Sequence, residues 1–285
     1  MTQQIEYQIN PKENIYFFLK IIASILFYFL LFLGLMTLFN ADAKQAASLY
    51  IVGFYVVVIV IYLFFRFGIF IGYLKGNAVQ VSSNQFSDIY TIVSRQSHLL
   101  GLNTAPAVYI LQSGGLLNAF ATRFLGSNYI VLFSEIVETA YEEDKNVLEF
   151  IIGHEMGHVK RNHMIKNLIL FPSSLIPFLG PAYSRACEYT CDNIGHAICP
   201  NGVHNGLLLL ASGRKLFKKV NTAEYIKQGT SDGGFWKWFS EKVSSHPHLS
   251  KRLNKFKNVV PATTIVTPPK AEPYKTDDHS KYMPQ

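Results

Sequence analysis

Two long uncharged stretches near the N-terminus, Ile21 to Phe39 and Ala47 to Phe65, constrain this chain more than any other feature. Each runs about 19 residues, close to the roughly 20 that a helix needs to cross the hydrocarbon core of a bilayer. Both are apolar all round, which suits lipid on every side better than a one-sided core. A polar turn, Asn40 to Gln45, separates them, so the expected arrangement is a transmembrane hairpin with helices over about 21–39 and 47–65. A signal peptide would have a shorter apolar core and a small-residue cleavage site, and neither is evident. A hairpin returns the chain to the side on which it began. Lys12, Lys20, Arg66 and Lys75 flank it on that side and only Lys44 lies in the turn, which directs the rest of the chain to the cytoplasm. Three cysteines, Cys187, Cys191 and Cys199, argue against a disulfide framework and suit a reducing compartment.

The remaining length suffices for one sizeable domain. The expected division is 1–75 for the tail and hairpin, 76–260 for the main domain, and 261–285 for a Pro-rich, disordered tail. A formal charge of +7, without a block of basic residues or a nucleic-acid motif, favours anionic lipid headgroups and excludes nucleic acid as the expected partner. Asn84 to Leu100 reads as an amphipathic helix. Val108–Leu111, Leu117–Thr122 and Tyr129–Phe133 read as strands of a small antiparallel sheet, with a turn at Gln112–Gly115. A helix is expected from about Lys145 to Lys166, and another from Leu207 to Val220. The apolar segment 168–179, broken by Pro172 and Pro177, reads either as an interfacial segment or as a loop closing the core. Phe235–Phe239 reads more naturally as core packing than as a membrane-interface element.

The chemistry concentrates in His154-Glu155-Met156-Gly157-His158. Histidines at i and i+4 share a helix face and can reach one metal ion, while Glu155, one step round, is placed to act as a base. Gly153 and Gly157 each cost the helix about 1 kcal/mol relative to alanine, which implies that another element packs closely there, with the sheet the expected neighbour. A catalytic zinc site needs a third protein ligand. The best candidate is Glu188, followed one turn later by Asp192, which can accept the outer N–H of a ligand histidine. Cys187 and Cys191 read as small buried residues rather than ligands.

Together these motifs resemble the HtpX-like and CAAX-prenyl-protease family of integral-membrane zinc metallopeptidases. The resemblance covers most of residues 15–258. It includes the hairpin, Asn118–Thr122, the metal motif with His163 shortly after, Ser184 through Asp192, and Ser245-His246-Pro247-His248 through Arg252. It implies one zinc ion held by His154, His158 and Glu188, Glu155 as base, and His246 and Arg252 near the site as oxyanion stabilisers. It also implies a peptide or membrane-protein substrate and a bacterial inner membrane. The strand at Asn118, Ala119 and Phe120 reads either as the edge that holds the substrate, as is common in zinc peptidases, or as a core strand. The segment between metal helix and third ligand is shorter here than is usual in the family. The fold class expected is α+β: a two-helix transmembrane hairpin, then a mostly helical zincin domain of gluzincin type with a small antiparallel sheet. The function expected is a membrane-anchored zinc endopeptidase in membrane-protein quality control or processing. The competing readings are a non-catalytic metal-binding adaptor, which would not require Glu155, and a peptidase for prenylated substrates, whose usual members have more spans.

Overall fold

The computed structural model describes residues 4–37, 42–231 and 233–259. Helix α1 (Pro11–Thr37) starts well before the apolar run. Asn10 accepts a hydrogen bond from the Lys12 N–H at 2.9 Å, and Pro11 takes the first helical position, where a missing N–H costs nothing. The added turns are used: α1 buries a stripe of Glu13, Lys20, Ala23 and Ser24. Helix α2 (Ala43–Asn77) likewise outruns its apolar segment and buries Ile71 and Leu74 near its end. Both helices are long and apolar enough to cross a membrane, and most of their apolar side chains are exposed. Residues 38–41 of the connecting turn and the tail beyond 259 lie outside the described residues.

The sheet comprises β1 (Val79–Gln80), β2 (Ala107–Leu111), β3 (Ala119–Phe124) and β4 (Ser127–Phe133), in the order β1-β2-β4-β3. It is mixed rather than antiparallel, because β2 and β4 run parallel. A two-residue turn closes the β3–β4 hairpin, with Leu125 at φ 46° and Gly126 at φ 87°, the left-handed values such tight turns require. The chain therefore lays β3 at the outer edge and returns along β4 beside β2. Strand patterns reveal the strands but not this order. On one face Ile110, Ile130 and Leu132 join the main core; on the other Tyr109, Tyr129 and Val131 meet Ile71 and Leu74 of α2. Burial on both faces explains why the β4 sequence is a continuous apolar run without alternation.

Helix α3 (Ser87–Leu99) joins the main core through Ile89 and Val93, and helix α4 (Ser134–Glu142) packs on β2 and β4. Helix α5 (Lys145–Lys160) is capped by Asp144, which accepts from the Asn146 N–H at 3.0 Å. It stops six residues short of the expected end. Asn162 adopts φ 54°, a left-handed conformation that asparagine tolerates, and α6 (His163–Ile169) leaves in a new direction. A 3₁₀ turn at Phe171–Leu175 leads into α7 (Leu179–Ile198). The close partner of Gly153 and Gly157 is α7, not the sheet. A Cβ on Gly157 would lie 3.1 Å from the Cys191 Cα, and one on Gly153 would lie 3.2 Å from the Gly195 Cα. From the other side, a Cβ on Gly195 would stand 2.9 Å from the Phe150 ring and carbonyl oxygen. Gly195→Ala is therefore expected to cost about 1–3 kcal/mol through overpacking, read as a lowered unfolding temperature in a thermal melt.

Helix α8 (Val203–Ser212) ends sooner than expected because Gly213 takes φ 81°. Three further helices follow: α9 (Thr222–Ser231), α10 (Phe235–Val243) and α11 (Leu249–Lys255). The aromatic residues of α10 are not core residues, since nothing on that helix is buried. The N-terminal segment is part of the main domain's packing rather than a separate tail. Ile5 N–H donates to the Leu99 carbonyl at 3.0 Å, and Asn10 N–H donates to Thr190 Oγ1 at 3.0 Å.

Candidate metal centre

The close approach of α5 and α7 brings Glu188 under the two histidines of α5. His154 Nε2 lies 3.5 Å from Glu188 Oε2, and His158 Nε2 lies 3.3 Å from Glu188 Oε1. One donor atom from each of the three residues falls within 4.8 Å of the others. Ligands about 2.0–2.1 Å from a tetrahedral metal such as zinc stand roughly 3.3 Å apart. The His154 and His158 contacts, to different oxygens of Glu188, are of that order, so the donor set can hold a metal ion.

Charge balance agrees. Three buried carboxylates, Glu155, Glu188 and Asp192, share this region with one buried guanidinium, Arg252, so the cluster calls for further positive charge. Burial opposes charge on His154, but Asp192 and Glu188 outweigh it and lift its pKa to about 10. Against the same burial penalty, the facing histidines and Arg252 hold Glu188 well below the usual carboxylate range and Asp192 below it.

Both histidines have their outer nitrogens held. His154 Nδ1 is 3.0 Å from Asp192 Oδ1, so with Nε2 turned to the metal position its Nδ1–H donates to that carboxylate. His158 Nδ1 meets His163 Nδ1 at 3.1 Å, and His163 Nε2 meets Glu13 Oε1 at 3.2 Å. Burial, with His158 adding to it, outweighs Glu13 and pushes His163 down to about 4, so its ring is neutral. The one consistent arrangement has His158 Nδ1–H donating to His163 and His163 Nε2–H donating to Glu13. Arg161 also donates to Glu13 Oε1, from Nε at 3.0 Å and Nη2 at 2.8 Å. The bend at Asn162 makes this possible by swinging His163 back against His158. His163 carried no assigned role in the sequence, and Glu13 was missed: it sits 150 residues away in what read as a polar tail.

Glu155 lines the cleft with Asn118, Ala119, His246 and Arg252, and its carboxylate has no hydrogen bond or ion pair among the described residues. His246 is mostly exposed at the cleft rim, its Nε2 3.5 Å from Glu188 Oε1. Arg252 departs from the expected oxyanion role. It is buried, and its guanidinium is committed to Asp192 at 2.8 and 2.6 Å and to Glu188 at 3.2 Å. It braces the two carboxylates. On the edge strand, Ala119 packs toward the main core, while the Phe120 ring turns to the opposite face against Phe70 and Phe133. Cys187 and Cys191 are buried and unpaired by disulfide, and burial raises both thiols well above their ordinary range. Each also lies within reach of His163, Cys191 together with His158 and Cys187 together with Glu13.

A histidine pair and glutamate on two crossing helices, with an unengaged glutamate beside them, is the arrangement of a metallopeptidase. Residues 83–176 match the model described as Peptidase family M48. The chain is 25% identical over 191 residues to the plastoglobule-localized metallopeptidase 48 of Arabidopsis thaliana, covering 60% of this chain and 52% of that protein. It is 28% identical over 110 residues to the CAAX prenyl protease 1 homolog of Dictyostelium discoideum, covering 39% of this chain and 25% of that protein. The chain thus spans about half or less of the length of these relatives. Among solved structures it is similar to S. mikatae Ste24p, at 17% identity and TM-score 0.45, over 88% of this chain and 67% of the other. Residues 83–176 are therefore similar to an M48 peptidase domain, and the relatives matched are a metallopeptidase 48 and a CAAX prenyl protease homolog. M48 proteins are metal-dependent peptidases. The matched segment ends at residue 176 and does not include Glu188.

Proposed function

We propose that this protein is a membrane-anchored zinc endopeptidase with His154, His158 and Glu188 as metal ligands and Glu155 as general base. The observation that carries this reading is the convergence of the three donors beside a glutamate that has no hydrogen bond or ion pair among the described residues. A zinc ion held only for structure has no need of Glu155, which weighs against a non-catalytic adaptor. When bound, zinc polarises the scissile carbonyl and lowers the pKa of water to about 7. Glu155 takes the proton of the attacking water and passes it to the leaving amine. His246, exposed at the rim, is the group free to hydrogen-bond the developing oxyanion. Asp192 and His163 keep the ligand histidines in the required tautomer, and Arg252 holds Asp192 and Glu188 in place. The edge backbone at Asn118–Phe120 holds an extended peptide by strand addition.

The catalytic unit is residues 76–260, completed by the N-terminal segment packed on it. The asymmetry of flanking basic residues argues for a domain on the cytoplasmic side of its membrane, and the HtpX-like resemblance for a bacterial inner membrane. Tethering limits substrates to membrane proteins or membrane-proximal peptides, in quality control or processing. Glu155→Gln tests the chemistry. The variant is expected to keep one zinc per chain while hydrolysis of casein or a membrane-protein substrate falls by about 10²–10⁴-fold, the range for removing a general base. Chelation should abolish wild-type cleavage. Wild-type rates from the variant would make Glu155 something other than the base, and chelator-resistant cleavage would make the metal structural.

A further inference from the structure

Apart from the buried Leu170, the apolar residues of segment 168–178 face outward: Leu168 is 76% exposed, and Phe171 and Leu175 are each 65% exposed. Those outward residues do not close the core. The segment lies against α1, where Tyr28 Oη donates to the Ile169 carbonyl at 2.8 Å, while Lys20 Nζ donates to Asn167 Oδ1 at 2.9 Å. At 1.5 Å rise per residue, Tyr28 lies roughly 12 Å further along the helix than Lys20. Ile169 therefore sits beside the apolar run of α1 rather than at its charged end. A second element continues the surface. The ring of Phe178 packs on Phe239 of α10 at 6.3 Å, and Phe239 stacks on Phe235 at 5.5 Å. Trp236 is 77% exposed and Trp238 about half exposed on the same helix. Lys237 points away from this surface, donating to the Gln228 and Gly229 carbonyls at the end of α9.

We propose that segment 168–178 and α10 form one surface that docks into the lipid headgroup and upper acyl region of the bilayer. The proposal rests on α1 spanning that bilayer. The occupant follows from continuity: the surface extends the lipid-facing side of α1, and paired tryptophans with outward phenylalanines have the chemistry of a membrane interface. Docking also fixes the cleft. Arg185 Nη1 donates to the carbonyls of Glu241, Lys242 and Ser244, locking the end of α10 to α7 three residues before Glu188. His246 follows two residues later, within about 7 Å of extended chain. The His246 rim of the cleft therefore lies beside the headgroup layer, where chain segments flanking a membrane helix emerge.

Trp236 and Trp238 are the only two tryptophans in the sequence, so intrinsic fluorescence reads α10 and nothing else. The full chain is reconstituted in phosphatidylcholine–phosphatidylglycerol vesicles, and retention after alkaline carbonate extraction reports whether it is integral. Brominated phosphatidylcholine then replaces the ordinary lipid. Docking predicts a protein retained by carbonate, with blue-shifted emission, most of its intensity lost to the brominated lipid, and little loss to aqueous iodide. The single-tryptophan variants Trp236→Phe and Trp238→Phe should each behave likewise. Retention with emission quenched by iodide and not by bromine overturns the docking but leaves the anchor standing. Blue-shifted emission that ignores bromine and follows the protein-to-lipid ratio also overturns it, assigning the surface to a second copy. Loss of the protein on carbonate extraction overturns the anchor and the docking together, whatever the peptidase activity.

Discussion

Glu188→Gln is expected to leave the purified protein without its metal and without detectable proteolysis, while its fold survives. The amide keeps the size of the side chain but replaces a charged oxygen ligand with a neutral one. The loss of zinc affinity should exceed the roughly 10–100-fold that follows removal of a histidine's outer partner. The fold survives because Arg252 retains its bidentate contact with Asp192 at 2.8 and 2.6 Å. Glu188→Ala is the harsher change. It empties a site where Glu188 is only 5% exposed and takes one of the two carboxylates from Arg252 and His154. Breaking a buried pair in this way typically costs about 3–5 kcal/mol, so the alanine variant should lose stability as well as metal. Elemental analysis of the purified protein and a thermal melt separate the two effects. A glutamine variant holding a full equivalent of zinc and cutting at the wild-type rate would remove Glu188 from the ligand set.

What could be read from the residues depended on how far apart they were in sequence. The pairing of His154 with His158 and of Glu188 with Asp192 follows from helical spacing, because i and i+4 share a face whatever the tertiary context. The apolar runs of α1 and α2 announce themselves for the same local reason. Contacts between distant elements left weaker traces. Gly153 and Gly157 correctly signalled a close approach but not which element approached, since a glycine face accepts a helix or a sheet equally. The parallel β2–β4 pairing was hidden because strand sequences carry no record of order. Arg252 read as a free cation near the chemistry, and only the fold reveals that its donors are spent on Asp192 and Glu188. The aromatics of α10 looked like core by composition, and their exposure is a property of the surface they complete.

The role of Glu13 had no trace in the sequence at all, and its test is the more demanding one. Glu13→Gln is expected to lower zinc affinity by about 10–100-fold, as outer partners of ligand histidines do. Glu13 touches no ligand directly. It takes the Nε2–H of His163, which leaves His163 Nδ1 free to accept from His158 and keeps His158 Nε2 bare toward Glu188. A glutamine in its place can turn its NH₂ toward His163, reverse the donor order along the chain, and protonate the wrong nitrogen of His158. The variant also removes the charge that pairs with Arg161, a hydrogen-bonded contact worth about 1.5–3 kcal/mol, so some loss of stability is expected whatever its effect on the metal. Lys20→Met supplies the comparison. It cuts another polar tie between α1 and the domain, Lys20 to Asn167, which makes no contact with His163. Competition with a chromogenic chelator gives the zinc dissociation constant of each variant, without reference to activity. If Glu13 positions a ligand, its variant alone weakens zinc, and His163→Gln weakens it to a similar degree. Equal weakening by Lys20→Met would mean that α1 supports the site only as packing. An unchanged constant in the Glu13 variant would take the N-terminal helix out of the metal centre altogether.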